Sequence, residues 1–525
     1  MGKFPRYSSP IVSRNVVVIV EMSSPKPFLR ESSIAHAIIS SRLHTVCDNC
    51  LRESSSLNIC VSCGRMRYCN RTCQKAMWKL HKVECKQYQS VQRLPTAQIR
   101  LLIRLMSITD SEQRTSIDSL MSHSQNFNSD PLFMAAFEVV LKTVSQFLCC
   151  RLPISESELF KLYCQIQINS FMITDATGAD LAPGIFKKAV CLDHSCFPNL
   201  EYIFQGRNII CIPVNKAVLP NEARINYVDQ LASTAQRRSE LQSRYFFHCE
   251  CPLCLDVERD EKITALICCP TGSNLRPVLS LPQPPAATAT SSVLCHIPPS
   301  SSVEVRECCI CRTRFDEQQI RQITAQLSAF QQKSENTVDA LVLYHRLRGI
   351  EGPVSSRILQ SDNVLCTAMS LNSSSYYRLF GHKSNVHLAQ VCRAASSGML
   401  EEHISGLFDA FGSDETTTRM LVNSLIACGL DLLHWQSTWL PWPAFATGLH
   451  ACTLAGFLLR WLLDADFTCE LRMQQIKQIC ASEPDEGNLA QVLCKLILKA
   501  DSILSPFAPY DDAIASALKR LNSHL

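Results

Sequence analysis

Eight soft donors fall within 39 residues in the order Cys47-x2-Cys50-x9-Cys60-x2-Cys63-x5-Cys69-x3-Cys73-x7-His81-x3-Cys85. Donors two or three residues apart let one tight turn or one helical turn present both atoms to a single ion, and thiolate-rich tetrahedral sets suit the d10 zinc cation. The spacing predicts two zinc ions in this stretch. So short a module has almost no apolar core, so metal binding supplies its folding energy, on the order of 10 kcal/mol per site. A further group, Cys249-x-Cys251-x2-Cys254, needs a fourth ligand from elsewhere, and Cys196 is the candidate that closes a third structural site.

The remaining chemistry-bearing residues cluster downstream. The chain reads Leu192-Asp193-His194-Ser195-Cys196-Phe197-Pro198-Asn199, then Asn221-Glu222-Ala223-Arg224-Ile225-Asn226-Tyr227-Val228-Asp229, then Tyr245-Phe246-Phe247-His248 before the cysteine tail. Taken singly, Tyr227 and Tyr245 read as core tyrosines and His194 as a hydrogen-bonding residue. Cys268, Cys269, Cys308, Cys309 and Cys311 give half of a zinc ribbon, because the first pair is adjacent rather than spaced by two. Cys149-Cys150 lies in a helical pattern and reads as packed thiols. Arg65, Arg67, Lys75, Lys79 and Lys82 make one face of the finger basic, a weak indication of nucleic acid and most simply a solvated face.

These residues must be held by surrounding elements. Pro27–Glu31 and Ile34–Ile39 have strand character, and Gln74–Lys86 has helical spacing that carries His81 and Cys85 on adjacent turns. Apolar residues recur at three and four from Thr96 to Lys161, predicting a helical insert, and strands are expected at Ile166–Ile173, Leu200–Phe204, Ile209–Val214 and Ala223–Tyr227. Ser273–Ser302 is rich in Pro, Ser, Ala and Thr and reads as a linker. Stripes such as Ile320, Ile323, Leu327, Phe330 and Leu489, Val492, Leu493, Leu496 predict helices to the C-terminus, in an array resembling tetratricopeptide repeats.

Composition narrows the class. With 525 residues and 46% hydrophobic content the chain can build several cores. The 29 cysteines sit in metal-ligand spacings, which favours a reducing compartment over a disulfide scaffold. The apolar run Val16–Val20 is too short for a signal segment, and Ala451–Leu463 is interrupted by Arg460 and followed by Asp464 and Asp466, so it reads as a core helix. A net charge of +4 is too mild to indicate nucleic acid by electrostatics.

The finger, the His-Ser-Cys-x-Pro-Asn segment, the tyrosine near a strand end and the Cys-x-Cys-x2-Cys tail, in this order, resemble the SMYD (SET plus MYND) protein lysine methyltransferases over roughly residues 25–256. The resemblance implies an α+β fold: a small-stranded SET β-fold with an inserted MYND zinc finger and helical insert, a cysteine-rich post-SET zinc site and an α-helical C-terminal domain. The boundaries expected are 1–46 for the N-terminal SET part, 47–85 for the finger, 86–165 for the insert, 166–230 for core SET, 231–258 for the post-SET segment, 259–315 for the linker and 316–525 for the helical domain. It also implies S-adenosylmethionine as methyl donor and a lysine-containing protein, histone or otherwise, as substrate. By resemblance Tyr227, Tyr245 and Phe171 wall the catalytic channel, while Asn169, Ser170, Asp193, His194 and Phe247 contact the cofactor, with Phe247 on the adenine. The family further implies a monomer in nucleus and cytoplasm, a finger able to take a proline-rich peptide, and no membrane.

Two departures bear on activity. The family carries Gly-x-Gly upstream of the finger, whereas here Gly2 is the only glycine before Gly64; and Asp193 stands where the family has asparagine. Asp lacks the amide donor and adds a negative charge, so a contact with the cofactor carboxylate turns repulsive while one with its ammonium is kept. Two functions therefore stand open: a lysine methyltransferase, favoured by Tyr227, Tyr245 and Phe247, and a degenerate scaffold acting as a zinc-dependent interaction or transcriptional adaptor, favoured by the two departures.

Overall fold

The computed structural model describes residues 26–149, 152–175, 178–214, 217–267, 305–307, 314–333, 337–350, 377, 379–412, 415–440, 444–463 and 489–523. The Val16–Val20 run, the segment upstream of Pro27 where a Gly-x-Gly would fall, the Ser273–Ser302 linker and Cys150, Cys268, Cys269, Cys308, Cys309 and Cys311 lie outside the described residues.

Strands β1 (Leu29–Ser32) and β2 (Ala35–His36) precede the finger, which consists of the hairpin β3 (Asn58–Ile59) and β4 (Arg67–Tyr68) followed by α1 (Arg71–Cys85). Asn70 caps α1 by accepting from the Cys73 N–H, which starts the helix three residues before the expected Gln74. The insert resolves into α2 (Ala97–Met106), α3 (Ser111–Asp118), α4 (Ser124–Asn128), α5 (Pro131–Phe147) and α6 (Glu156–Asn169). The strand expected from Ile166 begins only at β5 (Phe171–Thr174), because α6 runs through to Asn169. A capping box between Ser155 and Glu158 launches α6, and Leu159, Leu162, Tyr163 and Ile166 bury one helical face; the short alternation Ile166–Ile168 fits either period. Cys149 is exposed rather than packed, since α5 ends at Phe147 and Cys149 lies beyond it with a left-handed backbone.

The strands β6 (Asp180–Ile185), β7 (Asp193–His194), β8 (Leu200–Gln205), β9 (Asn208–Pro213) and β10 (Arg224–Ile225) complete three small sheets: β1-β9-β8, β2-β6-β5 and the parallel pair β7-β10. Period-two alternation gives β9 two buried faces. Ile209 and Cys211 pack with the finger and the insert helices, while Ile210 and Ile212 join the core of the C-terminal helices. Gly206 turns β8 into β9 with φ +56°, and a side chain there would collide with the Cys50 carbonyl, so the finger lies directly on this hairpin.

After β10 come α7 (Thr234–Tyr245), α8 (Pro252–Leu255), α9 (Val257–Thr264) and the hairpin β11 (Val305–Glu307) and β12 (Arg314–Asp316). Helices α10 (Glu317–Lys333), α11 (Thr337–Arg348), α12 (Val386–Ser396), α13 (Glu401–Phe411), α14 (Glu415–Trp439), α15 (Phe445–Leu463), α16 (Leu489–Leu504) and α17 (Asp512–Asn522) build the C-terminal region. Neighbours pack in pairs, α11 on α12, α12 on α14 and α15 on α16, around Trp435, Leu425, Leu454 and Ile497. No helix among the described residues is long and apolar enough to cross a membrane.

Candidate functional site: three thiolate clusters and an aromatic cleft

The structure sorts the finger donors into two interleaved sets, Cys47, Cys50, Cys69, Cys73 and Cys60, Cys63, His81, Cys85, and brings Cys196 to Cys249, Cys251 and Cys254. Within each set the ligand atoms lie within 4.8 Å of one another. Pairs such as Cys60–Cys85 at 3.8 Å and Cys196–Cys254 at 3.6 Å match the roughly 3.8 Å edge of a tetrahedron built on Zn–S bonds of about 2.3 Å. These sets have the number, softness and geometry of closed zinc-binding sites. His81 turns Nε2 toward Cys63 Sγ at 3.6 Å, and its Nδ1 has the Glu84 carboxylate 4.0 Å away, an electrostatic neighbour beyond hydrogen-bond range.

Glu84 also belongs to a buried ionic knot. Arg104 on α2 reaches Glu84 and Asp48 at 2.9 Å each and donates to the His36 carbonyl at 2.6 Å, with all three side chains buried. One guanidinium thus joins the finger, β2 and the insert. Two of the basic residues on the finger are held by its own neighbours: Arg65 donates to the Val91 carbonyl, and Arg67 lies 3.4 Å from the His44 ring.

On the other side of β7 and β10 lies a cleft of about 600 Å³. Asn169, Ser170, Phe171, Asp193, His194, Tyr227, Tyr245 and Phe247 all line it, so residues spread over 79 positions meet in one concavity. Each is placed by an element end. Asn169 closes α6, and its amide donates to the Met121 and Gln165 carbonyls at 2.8 and 2.7 Å. Phe171 opens β5 and packs edge-on against Phe186 and Tyr202. Tyr227 lies just past β10; its hydroxyl donates to the Leu192 carbonyl and its N–H to His194 Nδ1 at 3.0 Å. Burial, with Asp193 adding to it, pushes the Tyr227 phenol well above its ordinary range, so the hydroxyl keeps its proton at neutral pH. Burial raises Tyr245 as well.

Tyr245 and Phe247 flank Phe246, which ends α7 with a left-handed backbone at φ 61°. That conformation is costly for a bulky residue. Phe246 is held there by ring contacts with Phe127 and His123 of the insert, which sends its two neighbours to the cleft wall. Met121, His123 and Tyr202 in the lining come from segments without a motif, and Asn226 and Arg244 adjoin Tyr227 and Tyr245 without a spacing signal of their own.

A second cleft, of about 430 Å³, opens between β8, the segment after β10 and the C-terminal helices. Met172, Tyr202, Asn226 and Tyr227 line both clefts. Asp193, three-quarters exposed at its side chain, has Arg224 Nη1 3.5 Å away, so a cation stands beside the charge that replaces asparagine.

The chain thus combines an α+β fold, strands around an aromatic cleft, a thiolate finger inserted in its N-terminal half and a further cysteine cluster joined to the cleft through His194. The MYND finger family matches residues 47–85. The chain is 31% identical over 257 residues to SET domain-containing protein 14 of Caenorhabditis elegans, covering 47% of this chain and 59% of that protein. It is 28% identical over 244 residues to Histone-lysine N-methyltransferase SMYD3 of Homo sapiens, covering 44% and 56%, and 29% identical over 219 residues to SET domain and MYND-type zinc finger protein 6 of Schizosaccharomyces pombe, covering 41% and 44%. The chain spans about half the length of the curated relatives it matches. It is a divergent relative of the SET and MYND domain proteins.

Proposed function

We propose that the chain is an S-adenosylmethionine-dependent protein lysine methyltransferase, with the cofactor in the cleft of about 600 Å³ and the lysine entering from the second one. The observation that carries this is the shared wall of Met172, Tyr202, Asn226 and Tyr227, which lets two ligands meet from opposite sides. The lining suits the cofactor: Phe247 offers a flat apolar face for an adenine, and Asn169 and Asp193 offer polar groups in a concavity of ligand size. S-adenosylmethionine supplies a methyl group on a positively charged sulfur. Tyr227 and Tyr202, on the shared wall, hold the amine in line, and Tyr245 and Phe171 close the cofactor side against water, so the catalytic gain is chiefly positional. A partly dry aromatic wall also disfavours the ammonium form of the lysine, and the Tyr227 oxygen, its proton given to the Leu192 carbonyl, is left to accept from the amine N–H or to face the methyl group. One zinc in each thiolate cluster, three in all, would hold the scaffold. The exposed Ile59, Val61 and Trp78 offer the finger an apolar surface for a partner segment.

Calorimetry of S-adenosylhomocysteine with the zinc-loaded full chain tests the reading. Micromolar binding that weakens at least about tenfold in Phe247→Ala is expected, since truncating a half-buried ring that stacks on the adenine removes more than about 1 kcal/mol. Absence of binding to the unaltered chain would leave the adaptor reading, which Asp193 favours.

A further inference from the structure

The cysteine cluster and the cleft share one residue. His194 Nδ1 accepts the Tyr227 N–H at 3.0 Å, and its Nε2 lies 3.2 Å from Cys196 Sγ. In a neutral imidazole the accepting nitrogen is unprotonated, so the proton resides on Nε2 and points at the sulfur. Both ring nitrogens are therefore engaged, one by the backbone of Tyr227 and one by a metal ligand. The β7-β10 ladder makes this necessary. Its register pairs Arg224 with Asp193 and Ile225 with His194, then ends, leaving the Tyr227 N–H without a strand partner. The His194 ring also stands 5.1 Å from the Tyr227 ring and 5.9 Å from that of Phe247.

We infer that His194 is a positioning residue, a strut that transmits the state of the Cys196, Cys249, Cys251 and Cys254 cluster to Tyr227 and Phe247, rather than a side-chain contact of the cofactor. A metal-held thiolate is a fixed, charged acceptor and orients the imidazole; a free thiol rotates and is a weak one. Loss of the metal therefore frees the ring, and with it the backbone of Tyr227. Arg237, buried with Nη2 3.6 Å from Cys254 Sγ, supplies a second donor to the cluster and is not among the residues lining the cleft. The consequence for catalysis rests on the methyltransferase reading; the strut itself does not.

Two half-mimics separate its ends. The Asn amide oxygen takes the place of Nδ1 but cannot reach the sulfur, and the Gln amide nitrogen takes the place of Nε2 but leaves Tyr227 unserved. In the full chain loaded with cobalt(II), His194→Asn is expected to shift the thiolate-to-cobalt absorption, while His194→Gln leaves it in place. In hydrogen exchange followed by mass spectrometry, His194→Gln is expected to speed the Tyr227 amide about tenfold, the effect of losing one hydrogen bond, with the finger unchanged. In the unaltered chain S-adenosylhomocysteine should displace the cobalt absorption, and in neither variant should it do so. An unmoved absorption in His194→Asn, or an unmoved Tyr227 amide in His194→Gln, overturns the strut. Failure of the unaltered chain to bind S-adenosylhomocysteine removes the methyltransferase reading alone, because the first two measurements need no cofactor.

Discussion

Asp193 and Arg224 show how a single charge change is absorbed locally. Asp193, where the resembled family has asparagine, brings a carboxylate to the cleft, and a guanidinium 3.5 Å away offsets part of its field. The pair is solvent-accessible and therefore weak, so the charge still acts on a ligand carboxylate. Asp193→Asn is expected to tighten S-adenosylhomocysteine by about threefold, and Arg224→Ala to weaken it by a similar factor, as suits exposed charges. Calorimetry at low and high salt checks both, since the two effects should shrink together as salt screens them. Unchanged or weaker binding in Asp193→Asn would remove the repulsion argument.

Arg104 plays the corresponding part between elements. Finger, β2 and α2 are separate pieces of chain, and the guanidinium that joins them is fully buried against Asp48 and Glu84. Removing one partner of such a knot leaves two carboxylates in the interior without their cation. Arg104→Ala is expected to destabilise the protein by about 3–5 kcal/mol, and Arg104→Lys to recover only part of this, because one ammonium cannot fork to two carboxylates and a carbonyl. Urea unfolding reads the difference. Since Glu84 stands beside His81, the variant should also release zinc from the finger faster to a chelator, while the Cys196 cluster holds its metal.

For the whole molecule, buried histidines set the acid limit. Burial lowers His36 to about 3, with Arg104 and Arg207 contributing, and lowers His345, His382 and His387 to about 4. In the unfolded chain these groups titrate near 6.5, so as pH falls below that value the unfolded state binds protons first. Their contribution is fully present above pH 6.5 and is lost progressively as pH falls toward 4 and, for His36, 3. Unfolding free energies from urea titrations should therefore hold from pH 7.5 to about 6.5 and fall from there toward pH 5, by on the order of 1 kcal/mol per pH unit for each group. His387→Gln should flatten the slope. Zinc release followed in the same samples separates this from protonation of the thiolates.

The sequence by itself determined the metal donors, the resemblance and the neighbourhood of Tyr227, because metal donors, turn residues and helical stripes act through spacing along a local stretch. Cys47 to Cys85 needs no distant partner to announce zinc, and the helical stripe of the C-terminal region announces its burial. Tertiary structure alone decided what depends on separate segments arriving together. It chose which four finger donors share an ion, carried α6 through to Asn169 where alternation suggested a strand, and set Arg224 beside Asp193. It also placed Tyr202 at the cleft, packed Phe246 on Phe127 and ran His194 between a thiolate and Tyr227. None of these has a local signature, since each is a contact whose free energy is realised only once the chain has closed loops of tens to more than a hundred residues.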